Sequence, residues 1–418
     1  MKKLLSFLAM SAIVLGMAFT FNACGGNDAN NPEEPNNPEK TVFDNDYFHV
    51  EVSVKEMKAG IKPIIHIKIA PKSTVYKYIM DVSSKFYADN AWGSAWAYLA
   101  MGDPDAIYTK SHYNTGTPIE YDDSDRQYDT EYVVILFALD DKNKPIEETW
   151  TKAPFKTPVE PKALSGKFTV DANGKQVYFS KANLQATTTD LGVNWTWGFV
   201  KNQWNYFSGY QGGVNTCING NGTVSYDGSV DLFGWSTPAT YYGINNSTTL
   251  SDHSGKFEEW GATICKGWYT LSMDEWVYLF YGRTDAAHLF GMGTVNGESG
   301  VILLPDNWAG DKFTDTDSGL ADQGDHYYNE NGTNYSFHTF TDKQWSDMAA
   351  NGAVFLPAAG YRAGTIINNP GLSGEYWSST PGAEGYAYSV SFDPEFLAPK
   401  THGGRYYGCS VRLVKEVK

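Results

Sequence analysis

Short hydrophobic runs that alternate with polar residues dominate the first third of the chain. In residues 48–54 and 65–69 every second residue is apolar, as in a strand with one buried face. Residues 132–139 are apolar throughout, which predicts a strand that is buried on both faces. We therefore predict a β-sandwich of immunoglobulin or fibronectin-III type over residues 41–161, with a helix inserted within residues 83–101.

Strand-like and helix-like patterns are mixed in the larger C-terminal part. Two apolar segments flank residues 171–174, whose Asn-Gly pair predicts a tight hairpin turn. Capping boxes that begin at Ser272 and Thr341 predict two helices, each with an apolar face. Short strands combined with two helices predict an α+β domain over residues 162–418. The polar stretch 311–335 is typical of a surface insertion.

The end of the chain has the most regular alternation. Residues 386–392 and 407–413 both keep period two, so we predict two strands of one hairpin. Residues 393–406 between them are polar, aromatic and rich in glycine. We therefore expect this connection to be displayed to solvent.

The first forty residues differ from the rest in composition. Two lysines precede an apolar run at residues 4–21, which predicts a secretory signal peptide over residues 1–23. The run ends in FNACGG, which resembles a bacterial lipobox and implies cleavage before Cys24 and acylation of its thiol. A plain signal peptide or an uncleaved anchor helix is the alternative. Residues 24–40 are mainly Asn, Pro and Glu and predict a disordered tether. Together these features predict a surface-exposed outer-membrane lipoprotein.

The charge of the chain limits its partners. The formal net charge is −16, so nucleic acid phosphates and anionic lipid surfaces would be repelled. We therefore predict no nucleic acid partner and no membrane contact beyond the lipid anchor. Aromatic residues make up 15% of the chain, and this abundance favours strands.

The four cysteines predict at most one disulfide bond. Acylation of Cys24 would leave an odd number, of which Cys217 and Cys265 form the most plausible pair outside the cytoplasm. Cys409 lies on the inward side of the last predicted strand and is expected to be a small buried apolar residue. No Cys/His spacing indicates zinc.

Nine aromatic and glycine-rich motifs follow one another in residues 166–414. They are VYFSKANLQ (177–185), WGFVKNQWNY (197–206), VDLFGWST (230–237), FEEWGA (257–262), WYTLSMDEWVYLFYGR (268–283), GVILLPDNW (300–308), AVFLPAAGYR (353–362), GEYWSST (374–380) and GCSVRLV (408–414). This ordered series resembles surface lipoproteins of gut Bacteroidetes that carry a C-type-lectin-like domain. The resemblance is to the branch of that fold that includes formylglycine-generating enzymes, and to the variable proteins of diversity-generating retroelements.

The resemblance implies a compact domain whose late hairpin displays a binding face over packed aromatic residues. On this sequence, the strand pleat then divides the hairpin into two sets. The framework set, expected to point inward, is Trp377, Val390, Phe392, Tyr407, Val411 and Leu413. The displayed set, expected to bind ligand, is Asp393, Glu395, Phe396, His402, Arg405 and Tyr406. Exposed aromatic residues beside arginine and carboxylates are typical of recognition surfaces.

The sequence shows no complete motif for catalysis or for a cofactor. No cysteine lies in the context of the formylglycine-generating active site, and the EPN at residues 34–36 lies in the tether rather than in a lectin calcium loop. The DTDSG at residues 315–319 matches only part of a calcium loop, so structural calcium stays an open alternative to no cofactor. Spacing alone does not exclude a glycosidase pair of carboxylates, because folding assembles such pairs.

The sequence therefore favours a non-enzymatic, lipid-anchored cell-surface protein that binds a glycan or a protein. An extracellular hydrolase that acts on polysaccharide is one alternative, with a pocket lined by tryptophans. A component of a fimbrial or other surface assembly is the other.

Overall fold

The computed structural model describes most of the chain from residue 40 onward. The described residues are 40–90, 94, 114–188, 194–205, 210–211, 214–215, 229–235, 242–244, 255–314, 321–322, 324, 326–328, 335–336, 338–364 and 366–418. The predicted signal peptide, Cys24 and nearly all of the tether lie outside them, as do Cys217 and the partial calcium loop at 315–319. Strands predominate over helices, which is the β-rich α+β content that the sequence predicts.

The described residues between 41 and 156 form eight strands in two antiparallel sheets. In chain order the strands are β1 Thr41–Asp44, β2 Phe48–Glu56, β3 Ile64–Pro71, β4 Lys77–Ser84, β5 Asn114–Thr115, β6 Ile119–Asp123, β7 Glu131–Ala138 and β8 Thr151–Lys156. The sheet orders are β1-β2-β3-β6 and β5-β4-β7-β8, and side chains of both sheets share one hydrophobic core. Strand β7 is buried at every position after Glu131, as its unbroken apolar run predicts. A short helix, α1 Lys85–Asn90, lies in the segment where a helix is predicted.

Twenty further strands lie in the described residues of the larger, C-terminal part. They are β9 Phe168–Thr169, β10 Gln176–Phe179, β11 Leu184–Thr187, β12 Thr196–Phe199, β13 Tyr210–Gln211, β14 Val214–Asn215, β15 Ser229–Val230, β16 Trp268–Thr270, β17 Phe290–Val295, β18 Glu298–Leu303, β19 Ala321–Asp322, β20 Tyr327–Tyr328, β21 Thr339–Phe340, β22 Val354–Pro357, β23 Tyr361–Ala363, β24 Ile366–Asn368, β25 Gly374–Pro381, β26 Tyr386–Phe392, β27 Phe396–Gly404 and β28 Leu413–Glu416.

These strands form five small sheets. Their orders are β16-β28-β10-β9, β12-β11-β15, β13-β14-β24-β23, β21-β17-β18-β22 and β19-β20-β27-β26-β25. Strand β28, which includes Leu413, pairs with both β10 and β16, so the end of the chain closes against its first predicted hairpin. That hairpin, β9 with β10, is the one predicted from the Asn-Gly turn, where Gly174 has φ +83°.

Both predicted capping boxes are present. The Ser272 hydroxyl accepts from the Glu275 amide at 3.2 Å and the Glu275 carboxylate accepts from the Ser272 amide at 2.8 Å, at the start of α2 Met273–Val277. Helix α2 continues into a wide turn, Tyr278–Gly282. Thr341 and Gln344 cap α3 Asp342–Ala350 in the same way. Single 3₁₀ turns lie at Glu147–Thr149, Trp260–Thr263 and Ala286–His288.

The two parts of the chain pack together. Ala59, in the loop between β2 and β3, is 2% exposed and belongs to the core of the C-terminal part. The amide of the next residue, Gly60, donates to Glu160 Oε1 at 2.9 Å, and Glu160 also forms an ion pair with Lys181. The N-terminal part is therefore held against its neighbour by apolar and polar contacts.

Large side chains fill the core of the C-terminal part. Five tryptophans are fully buried: Trp235, Trp260, Trp276, Trp345 and Trp377. Arg412 is buried as well, and its guanidinium donates to Gln203 Oε1 at 2.7 Å and to Asn183 Oδ1 and the Phe355 carbonyl at 3.3 Å. Burial lowers the pKa of Arg412 to about 9. Among the described residues, no helix has the length and apolar character needed to cross a membrane.

Candidate ligand-binding surface on the C-terminal hairpin

The C-terminal hairpin differs from the predicted one in its second strand. Strand β26 pairs with β27, so most of residues 393–406, predicted as an open connection, are themselves a strand. The turn is tight because Asp393 Oδ1 accepts from the amides of Glu395 at 2.7 Å and Phe396 at 3.1 Å. The prediction of a long displayed connection was therefore wrong.

Residues 407–413 do not form the predicted partner strand. Residues 408–410 instead make single bridges to three different segments, at Arg362, Phe233 and Tyr376. Gly408 is tightly enclosed, since a Cβ there would lie 2.8 Å from Arg362 Nε. The apolar alternation in this stretch thus reflects packing between several neighbours, and only Leu413 enters a strand.

The six residues of the predicted displayed set do not form one patch. Glu395 and Phe396 lie at the turn end of β27, whereas Arg405 and Tyr406 follow its far end. A nine-residue strand spans about 26 Å from first to last residue at about 3.3 Å per residue, so the two groups contact different surroundings. Asp393 serves the turn, Phe396 is half-buried, and Glu395 and His402 are exposed.

Arg405 is a packed residue and is not presented outward as predicted. Its side chain is largely buried, with Nε donating to the Tyr386 carbonyl at 2.9 Å and Nη1 to the Gly255 carbonyl at 3.1 Å. Its Cζ lies 4.5 Å from the centre of the Trp235 ring, and the Trp235 amide donates to the Arg405 carbonyl at 2.7 Å. Burial lowers the pKa of this guanidinium from its usual value. These contacts indicate that Arg405 fixes the end of β27 to the Trp235 loop.

Tyr406 and Tyr407 are both half-buried, so the predicted contrast between them is absent. Their rings are 4.6 Å apart, and the Tyr407 ring is 5.0 Å from that of Tyr361. A hydrogen bond with Tyr406, together with burial, raises the pKa of Tyr407 to about 12. The other five framework residues, Trp377, Val390, Phe392, Val411 and Leu413, are buried as predicted.

An aromatic surface lies beside His402 at the open end of the hairpin. His402 is directly opposite Tyr388, and its ring is 6.4 Å from that of Tyr388 and 5.6 Å from that of Tyr386. Tyr386 is 42% exposed, and Lys400 lies two residues before His402 on the same exposed side of β27. We call Tyr386, Tyr388 and His402 the aromatic face.

Sequence reasoning missed the two tyrosines of this face. They alternate with small residues in step with Val390 and Phe392, which are predicted to point inward, and so they are absent from the predicted displayed set. They do share that side, but Val390 and Phe392 are covered while Tyr386 extends beyond the core. The period of a strand cannot show where its cover ends. Gly385, which has φ +76° and turns the chain just before Tyr386, is the signal in the sequence that this tyrosine lies at the end of the strand.

A carboxyl–hydroxyl network lies on the other side of the same hairpin. Glu375 Oε1 accepts from Ser391 Oγ at 2.7 Å and Oε2 from Ser389 Oγ at 3.5 Å, and Ser389 Oγ lies 3.1 Å from Thr401 Oγ1. Burial raises the pKa of Glu375 to about 7, and the serine hydroxyls oppose this shift only in part. Near neutral pH this carboxyl can therefore either donate or accept a proton. The negative charge of Asp393 also raises the pKa of Glu375. The Asp393 carboxylate itself accepts a hydrogen bond from the Glu395 amide in the turn.

No family model, curated protein or solved structure matches this chain. The resemblance drawn from the motifs is therefore untested and stays a prediction.

The described residues contain no cluster of three or more His, Cys, Asp or Glu side chains that could hold a metal ion. Cys265 is disulfide-bonded, whereas Cys409 is a free buried thiol whose pKa is raised by burial. The partner of Cys265 lies outside the described residues. The aromatic face and the Glu375 network are thus the two features of this hairpin that carry chemistry.

Proposed function

We propose that this chain is a non-enzymatic ligand-binding protein of the bacterial cell surface, held at the outer membrane by a lipid on Cys24. The observation that carries this proposal is the aromatic face, which presents two tyrosines and a histidine on a rigid hairpin. The ligand is a cell-surface glycan or protein. Neither a cofactor nor a nucleic acid takes part in this function.

The proposed architecture follows the same reasoning. We propose that residues 41–161 are a β-sandwich of immunoglobulin or fibronectin-III type, and two sheets with a common core support this. We propose a C-type-lectin-like domain for residues 162–418, of the kind found in surface lipoproteins of Bacteroidetes. Support comes from the sequence motifs, the two capped helices and the late hairpin.

Physical reasons favour the aromatic face over the predicted displayed set. Tyrosine offers a large flat surface and a polar hydroxyl, and its binding costs little conformational entropy because its side chain has few rotatable bonds. The face lies on paired strands, so ligand binding need not order a loop. Arg405 is left out because its guanidinium already has backbone and aromatic partners.

A binding screen with paired variants tests the proposal. The purified protein would be applied to arrays of glycans and of cell-surface proteins, and hits would be titrated in solution. Changing Tyr386→Ala with His402→Ala should weaken binding by about a hundredfold, because two central contacts of an interface are removed. The control, Tyr87→Ala with His49→Ala, removes the same residue types from the N-terminal part and should leave binding unchanged. Binding that survives the first pair of changes would show that the site lies elsewhere.

A polysaccharide hydrolase is the second candidate, and Glu375 is the observation that favours it. A carboxyl whose pKa is near 7 suits a general acid. Turnover of plant and host polysaccharides that disappears with Glu375→Gln, but not with Glu395→Gln, would establish this activity and overturn the binding proposal. A lack of turnover together with array hits would favour the binding function.

A further inference from the structure

We propose that the N-terminal part carries a second binding site, a cleft beside Tyr76 that takes a neutral saccharide. The cleft is open to solvent, has a volume of about 480 Å³, and lies between the turn before β4 and the loop after β7. Its lining is Thr74, Tyr76, Lys77, Ala138, Leu139, Asp140, Asp141 and Ile146. Small-molecule sites usually fall in this range of volumes. This site is independent of the aromatic face and does not rest on the proposed function.

The ring of Tyr76 projects into solvent from a fixed backbone. The Tyr76 side chain is 82% exposed, although the neighbouring Val75 is buried. The Val75 amide donates to the Lys72 carbonyl at 2.9 Å, and the Gly116 amide donates to the Tyr76 carbonyl at 2.7 Å. Gly116 is pressed against this turn, since a Cβ there would lie 2.4 Å from the Val75 carbonyl oxygen. The turn is thus held in place while the phenol ring stays uncovered.

Another part of the cleft lining is polar and is held in place by hydrogen bonds. Asp140 Oδ1 accepts from the amides of Lys142 and Lys144, both at 2.8 Å, and these bonds hold the pKa of Asp140 below its usual value. The Leu139 amide donates to the Lys77 carbonyl at 2.9 Å, which ties this wall to β4. Lys77 Nζ donates to Asn143 Oδ1. Tyr76, the carboxylates of Asp140 and Asp141 and the ammonium of Lys77 therefore line one open cleft.

These groups match the surface of a sugar ring. The C–H face of a saccharide packs on an aromatic ring, and its hydroxyls donate to carboxylates in strong charge-assisted bonds. An anionic ligand would be repelled by Asp140 and Asp141 and by the net charge of −16. A neutral saccharide of one or two rings can pack on the Tyr76 ring and donate hydrogen bonds to the carboxylates, so it is the ligand class that fits this cleft.

Saturation-transfer NMR followed by calorimetry tests this site on the purified full chain. The probes are four neutral disaccharides: cellobiose, lactose, mannobiose and chitobiose. We expect at least one to bind, Tyr76→Ala to weaken its binding about tenfold, and Tyr76→Phe to retain most of it because the ring remains. Asp141→Asn should also weaken binding, since the charged acceptor is lost.

Three controls keep the outcome unambiguous. Tyr87→Ala removes another exposed tyrosine of the N-terminal part and should leave disaccharide binding unchanged. Tyr386→Ala with His402→Ala should also leave it unchanged, so failure of the proposed function would not affect this result. Circular dichroism would show that each variant is folded. Absence of binding by all four disaccharides, or equal binding by the folded Tyr76→Ala protein, would overturn the proposal.

Discussion

The guanidinium of Arg405 lies over the indole ring of Trp235, with Cζ 4.5 Å from the ring centre. The same side chain donates to backbone carbonyls of Tyr386 and Gly255, so one residue joins the end of β27 to two other segments. We expect Arg405→Ala to lower the free energy of unfolding by about 3 kcal/mol, because hydrogen bonds from a charged donor and a cation–π contact are lost together. Urea denaturation measures this change. Lys400→Ala, which removes an exposed cation from the same strand, should change it by less than about 0.5 kcal/mol. Equal effects of the two changes would contradict a fixing role for Arg405.

Glu375 predicts a pH dependence of stability. Its folded pKa of about 7 lies above the ordinary value of 4.5, so folding favours the protonated carboxyl. The stabilisation is complete below about pH 4.5 and is lost as the pH rises through about 7. Over that window the difference in unfolding free energy between the protein and its Glu375→Gln variant should shift by about 3 kcal/mol in favour of the variant. Denaturation at pH 4 and pH 8 measures this shift. The exposed Glu395→Gln serves as the matched control, and a Glu375→Gln difference that does not vary with pH would count against the raised pKa.

Cys409 should not react with thiol reagents in the folded protein. Its side chain is buried, and burial raises its pKa, so little of the reactive thiolate forms. In a Cys24→Ser protein at pH 8, a disulfide reagent should react with no thiol before denaturation. It should find one thiol in denaturant if Cys265 pairs with Cys217. Three thiols in denaturant would contradict that pairing, and rapid labelling of the native protein would contradict the burial of Cys409.

Ala59 provides a test of the contact between the two parts of the chain. Because this side chain is 2% exposed in the core of the C-terminal part, Ala59→Glu would bury an unpaired charge. We expect a loss of about 3 kcal/mol or more in unfolding free energy and faster proteolysis near residues 156–165. Val42→Glu introduces the same charge at an exposed position of β1 and should leave both measurements unchanged. Proteolysis that is equally slow in both variants would show that the two parts do not depend on this contact.

The features that sequence reasoning predicted correctly depend on residues close in the chain. Ser272 and Thr341 begin helices because each side chain meets an amide three residues later. Strand β7 is recognisable because an unbroken apolar run needs cover on both faces. The framework tryptophan Trp377 is buried as predicted, and its neighbours Tyr376 and Ser378 are buried too, so this part of β25 is covered on both faces.

The features that were missed depend on distant residues. Arg405 looks like a displayed residue until Trp235 and Gly255 are placed beside it, and these are about 150 or more positions earlier. The hydrogen-bond network of Glu375 forms only in the folded chain, where Ser389 and Ser391 of the next strand contact its carboxylate. No spacing rule connects these positions. The site could therefore be assigned from the sequence only to a region, and its members had to come from the structure.

The ladder between β26 and β27 has a consequence for how this protein can diversify. Backbone pairing holds Tyr386, Tyr388 and His402 in place whatever their side chains are, so these codons can be exchanged with little effect on folding. Variation has a sharp boundary at Gly404, where a Cβ would lie 2.7 Å from the Tyr406 ring. A library randomised at the three positions, with Gly404 kept, would sample new specificities on an unchanged scaffold. In this hairpin, the three positions of the aromatic face can therefore vary while the buried residues beneath them keep the frame.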